Sequence, residues 1–111
     1  MRFDHSILRI FEVRAKPGKA DILKQKLSDT SVSVVNGKPG NLGYFFGENL
    51  STDEHDLMFI SVWNSLDSIK SHFGEDWEQS YLPEGYEEII DHCSIKHVQI
   101  HGKLISQDLL S

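Results

Sequence analysis

Residues 58–73, Met-Phe-Ile-Ser-Val-Trp-Asn-Ser-Leu-Asp-Ser-Ile-Lys-Ser-His-Phe, constrain the fold more than any other stretch. The first half alternates and is rich in β-branched and aromatic residues, the pattern of a strand. Asn64 and Ser65 then offer side-chain oxygens for a helix N-terminus, and Asp67 and Ser68 suit a first turn. Leu66, Ile69 and Phe73 follow at helical spacing, so the period changes from 2 to 3.6 within a few residues. Trp63 closes the strand and His72 rides on the helix. A helix that folds back over its sheet brings both toward one pocket.

The rest of the chain supplies partners for this unit. Residues 7–16 read as a first strand, with Ile7, Phe11, Val13 and Ala15 on one side and Leu8 and Ile10 on the other. Apolar residues on both faces predict that both are covered, one by helices and the other by a partner. Pro17-Gly18 leads into a helix whose stripe is Leu23, Leu27, Thr30 and Val34, and Asn36-Gly37-Lys38-Pro39-Gly40 stops it. Residues 42–49 and 55–63 form two strands joined by the polar Ser51-Thr52-Asp53-Glu54, hence an antiparallel pair. Glycine within a strand, as at Gly43 and Gly47, marks a bulge or a close approach. Gly74 interrupts the second helix, Tyr86, Ile89 and Ile90 suggest a short third one, and residues 92–103 give a last strand.

The order β-α-β-β-α-(short α)-β, with right-handed crossovers, is an α+β, ferredoxin-like arrangement: a four-stranded antiparallel sheet with helices on one face. At 111 residues the chain suits one domain, taken as 1–103 with a tail at 104–111. A chain of this size buries roughly 65% of its unfolded surface and so needs no staples. The bare sheet face predicts a homodimer, and Leu104, Ile105, Leu109 and Leu110 suggest that the tail docks on a partner.

Composition narrows the function classes. A net charge of −6 without a basic, aromatic-interleaved patch argues against nucleic acid. No apolar run approaches the ~20 residues that span a bilayer, and Met1-Arg2-Phe3-Asp4-His5 lacks a signal-peptide core. Cys93 is the single cysteine, which points to a reducing, cytoplasmic setting. No metal site is expected. His97 and His101 would lie roughly 13 Å apart along a strand, too far to share an ion bound at about 2 Å. Gly37-Lys38-Pro39-Gly40 is a turn and not a phosphate loop, and no Gly-x-Ser-x-Gly elbow occurs.

With Pro17-Gly18 opening the first helix and Phe59-Ile60-Ser61-Val62-Trp63-Asn64-Ser65 leading into a helix with His72, the chain resembles the antibiotic-biosynthesis monooxygenase superfamily of dimeric α/β barrels over about residues 5–102. The resemblance implies a cofactor-independent monooxygenase acting on an aromatic, quinol- or anthrone-like molecule, with Trp63 at the site. Such members carry an Asn four residues before that Trp, where this chain has Phe59. Haem-degrading members imply the alternative, with His72 as iron ligand, but they use an Asn on the first strand, and none precedes Asn36 here. A third reading is a non-catalytic small-molecule binding module of the same fold.

Under the oxygenase reading His72 is the base, since a free imidazole titrates near ~6.5. Trp63 supplies an apolar wall and an N–H for a developing oxyanion. Tyr44, Phe59, Trp77 and Tyr81 complete an aromatic, substrate-binding pocket between sheet and helices. Each residue also has a purely structural role open to it: Trp63 as core, His72 as a packing imidazole, Trp77 and Tyr81 as an i, i+4 pair, Asn64 as a cap.

Overall fold

The computed structural model describes residues 6–51, 56–80 and 84–101, without the side chains of residues 30 and 31. Tyr81 and the tail at 104–111 lie outside the described residues. Four strands, β1 (Ile7–Ala15), β2 (Asn41–Glu48), β3 (Asp56–Trp63) and β4 (Ile90–Gln99), form one antiparallel sheet in the order β2-β3-β1-β4. Helices α1 (Ala20–Lys26), α2 (Val32–Val35) and α3 (Leu66–Phe73) supply the second layer. This is the ferredoxin-like α+β architecture expected from the element order.

The register explains the two faces. Phe11 pairs with Phe59 on β3 and Ile95 on β4, so alternate residues of three strands project to one side. Ile7, Phe11, Val13, Ala15, Leu57, Phe59 and Trp63 are buried there against Ala20, Leu23, Leu27, Val35 and Ile69 of the helical layer. On the other side Leu8, Ile10, Met58, Ile60 and Val62 are half-buried, and Phe45 and Val98 are exposed. No helix of the described residues covers that apolar face, and none is long and apolar enough to cross a membrane.

Two details depart from the simple pattern. The first long helix is not continuous: residues Leu27–Ser31 adopt a π-helical turn between α1 and α2. Each π turn takes up more residues than an α turn, which advances the phase of the apolar stripe. Val35, at 2% exposure, therefore takes the inward position expected of Val34. In β2 the register slips between Asn41 and Gly43, and Gly43 sits at φ +157°, so the strand glycine marks a bulge. The expected third helix is a single 3-10 turn, Tyr86–Glu88, held by the Tyr86 hydroxyl donating to the Lys26 carbonyl at 2.9 Å.

Candidate functional site

The strand-to-helix junction is tightly specified. Ser65 caps α3 by accepting from the Ser68 amide at 3.2 Å. Asn64 Oδ1 accepts from the Ser68 hydroxyl at 2.6 Å, and the Asn64 amide donates to the Gly40 carbonyl at 2.8 Å. The loop after α2 is thereby tied to the start of α3. A Cβ on Gly40 would lie 2.4 Å from Ser68 Oγ, so only glycine permits that approach, at φ +85°.

Trp63 and His72 are brought together. Their ring centroids stand 5.4 Å apart at 29°, and Phe73 meets Trp63 edge-on at 5.7 Å. Trp63 is fully buried, and its Nε1–H donates to Ser61 Oγ at 2.8 Å. The N–H expected to face a substrate oxyanion is therefore spent inside the core. His72 is oriented just as firmly. Its Nε2 lies 2.7 Å from the carbonyl oxygen of Val34, one of the carbonyls left unpaired where α2 ends. A carbonyl only accepts, so Nε2 carries the hydrogen, and in the neutral ring Nδ1 keeps its lone pair. Nδ1 has no hydrogen-bond partner among the described residues.

The open space beside this imidazole is not the pocket expected between sheet and helices. Trp63 and Phe59 fill that layer. A hollow of about 280 Å3 lies instead at its rim, lined by Ser33, Val34, Lys38, His72 and Phe73. Tyr44, Phe59 and Trp77, expected to contact substrate, do not line it. Tyr44 stacks on Phe59 at 6.1 Å near the β2 edge, while Trp77 packs edge-on to His97 at 5.0 Å beneath Lys70. The Nε2 of His72 is committed as a donor to Val34, so Nδ1 is the nitrogen left to meet a ligand, whether substrate or iron. Among the described residues no group of three His, Cys, Asp or Glu side chains is placed to hold a metal ion.

Sequence reasoning overlooked Arg9, which points into the core face between Ile7 and Phe11 and is only 4% exposed. Its guanidinium donates to the carbonyls of Trp77 and, at 3.0 Å, Gln79. It also donates to His97 Nε2 at 2.9 Å and lies 3.7 Å over the Phe73 ring. Because an arginine N–H only donates, His97 Nε2 is the unprotonated nitrogen. Burial lowers the Arg9 pKa to about 10. Burial, then the charge of Arg9, lowers the His97 pKa, against a smaller opposing pull from Glu78. Arg9 thus fixes the segment after α3 and steadies Phe73, which walls the hollow. The legible signal was a charge at an inward position of an apolar strand.

Known proteins of the same shape confirm the architecture. PA3566 from Pseudomonas aeruginosa superposes with a TM-score of 0.67 at 18% identity, covering 92% of this chain and all of its own. A candidate antibiotic biosynthesis monooxygenase from Deinococcus radiodurans matches with a TM-score of 0.67 at 18% identity over 90% of this chain and 96% of that one. A candidate of the same kind from Chloroflexus aurantiacus gives a TM-score of 0.60 at 22% identity over 89% and 96%. At these identities the likeness establishes the fold. No protein of curated function matches the sequence. The family model for antibiotic biosynthesis monooxygenase matches residues 6–79, two-thirds of the chain and the whole strand-to-helix unit that carries Trp63 and His72, and the chain belongs to that family.

Proposed function

We propose that the protein is a cofactor-independent monooxygenase that oxidises an activated methylene or phenol in an anthrone- or quinol-like molecule, with His72 as the base. The observation that carries this is the hydrogen-bond polarity at His72. Nε2–H is anchored on Val34, which leaves Nδ1 as the lone pair in a side chain that lines the hollow. A methylene flanked by a carbonyl gives its proton to Nδ1, and the electron pair left behind spreads into an enolate. This electron-rich anion passes one electron to dioxygen, and recombination of the two radicals forms a carbon–oxygen bond. The imidazolium returns its proton to the peroxide. Loss of the second carbon-bound proton then breaks the oxygen–oxygen bond and expels hydroxide, which takes up that proton. The balance is R2CH2 + O2 → R2C=O + H2O, with no external reductant.

Trp63 serves here as a positioning residue, holding the imidazole plane from within the core. The apolar contact for the substrate comes from Phe73 and Val34. A homodimer through the open sheet face completes the proposal, supported by the apolar side chains left uncovered there. The lone Cys93 suits a reducing, cytoplasmic setting.

Oxygen uptake with 1,8-dihydroxyanthrone and a set of alkyl hydroquinones tests the reading. His72→Gln keeps an N–H for Val34 and removes the base. It is expected to lose ~100-fold or more in rate, the scale of general-base catalysis. No uptake by the wild type, or equal rates in both proteins, would leave a binding module as the function of this fold.

A further inference from the structure

The hollow beside His72 carries a charge that the proposed reaction has not yet used. Lys38 lines it with Ser33, Val34, His72 and Phe73, and no carboxylate is among these five. Among the other described lysines, Lys24 pairs with Glu48 at 3.2 Å and Lys96 with Glu12 at 2.9 Å, while Lys26 and Lys70 lie over the rings of Tyr86 and Trp77. Lys38 has no such partner among the described residues. An ammonium without an acidic partner among the described residues, lining a hollow together with Val34 and Phe73 in a chain of net charge −6, is a local inversion of the overall field.

The backbone beneath Lys38 is fixed on both sides. Its amide donates to the Val35 carbonyl at 3.2 Å, and its carbonyl accepts from the Asn41 amide at 3.0 Å. Two residues on, Gly40 is pressed against Ser68 and held by Asn64. The long side chain therefore starts from a defined point, which limits the freedom lost when its ammonium meets a ligand.

We propose that Lys38 makes this hollow selective for anionic aromatic molecules, namely phenolates and aromatic carboxylates, with the ring against Phe73 and the charged oxygen toward the Lys38 ammonium. The proposal rests on reading the hollow as the substrate site and names the substrate class for it, but it does not depend on oxidation taking place. In the oxygenase setting the same ammonium stabilises the enolate formed when Nδ1 of His72 takes the proton.

The test is a chemical-shift titration of the whole chain with 2-naphthoate and with 2-naphthamide, a neutral molecule of the same shape. Both are followed at the amides of Val34, His72 and Phe73, at pH 7.5 in low and high salt. The wild type is expected to bind the acid roughly three- to tenfold more tightly than the amide, a preference that high salt erodes. Lys38→Gln should bind the two equally, and Lys38→Glu should favour the amide. Equal affinity in the wild type, a preference that survives Lys38→Gln, shifts centred elsewhere, or no binding of either probe would each overturn the proposal. Acid-selective binding without anthrone oxidation would uphold this inference and defeat the oxygenase. His72-dependent oxidation without acid selectivity would do the reverse.

Discussion

If Trp63 acts by packing and not by offering its N–H to a ligand, its bond to Ser61 must register as a coupling energy. Trp63 is fully buried and Ser61 is 1% exposed, so neither end of the 2.8 Å bond has water as a substitute. Trp63→Phe removes about three ring atoms' worth of packing, roughly 2 kcal/mol at ~0.8 kcal/mol per buried methylene-sized group. It also strips the Ser61 hydroxyl of its donor, for about 1 kcal/mol more. Ser61→Ala alone leaves an indole N–H unpaired in the core, a loss of about 1–3 kcal/mol. In the double variant no polar atom is orphaned, so its cost should return to the packing loss of roughly 2 kcal/mol. The singles then overshoot the double by about 2–4 kcal/mol, which urea unfolding at pH 7.5 resolves. Additivity within ~0.3 kcal/mol would refute the reasoning, since it would mean that the indole N–H is not committed to Ser61.

Other consequences follow from the same contacts. Burial and Arg9 hold His97 neutral in the folded protein, so its folded pKa lies below the unfolded value. As pH falls below ~6.5 the unfolded chain takes up that proton first, and the stability His97 contributes is lost through the window down to its folded pKa. The loss is confined to that window and is softened by the exposure of the ring, while above it His97 adds no slope. Urea midpoints from pH 5 to 8 should therefore fall more steeply for wild type than for His97→Gln; parallel curves would contradict the contact. Gly40 and Gly37 both sit at positive φ, +85° and +73°, but a Cβ on Gly40 would also collide at 2.4 Å with Ser68 whereas one on Gly37 meets nothing within 4 Å. Thermal melts should show Gly37→Ala costing the backbone strain alone, about 1–3 kcal/mol, and Gly40→Ala costing clearly more; equal losses would contradict the close approach. On the open sheet face, Ile60→Lys places a charge among Leu8, Ile10 and Val62. Sedimentation should report a pair for wild type and a single chain for the variant; a wild-type monomer would sink the dimer proposal.

The fold was legible because each element announced itself through period. Alternation in residues 7–15 and 57–63, and the switch at Ser65, placed strands and helix to within a residue or two. The π turn at Leu27–Ser31 was not legible, since a β-branched run such as Ser31-Val32-Ser33-Val34-Val35 weakens a helix without saying how it bends. The pairing of Trp63 with His72 followed from the crossover alone. Which nitrogen of His72 holds the hydrogen depended on Val34, far off in sequence and moved into place by that same π turn. Lys38 read as part of a turn because period describes elements and is silent about which loop side chain meets a helix across space. Arg9 could have been found: a cation at an inward strand position requires acceptors, and the segment around Trp77 was the available source.

The central proposal is that an anion forms from the substrate with the His72 imidazole as base, before oxygen arrives. Anaerobic mixing of the protein with 1,8-dihydroxyanthrone, followed by absorbance of the enolate, tests it directly. The account predicts that the enolate accumulates in proportion to wild-type protein, is absent with His72→Gln, and decays to the ketone once oxygen is admitted. Enolate formation that is the same with and without His72, or none at all while oxygen uptake proceeds, would contradict it.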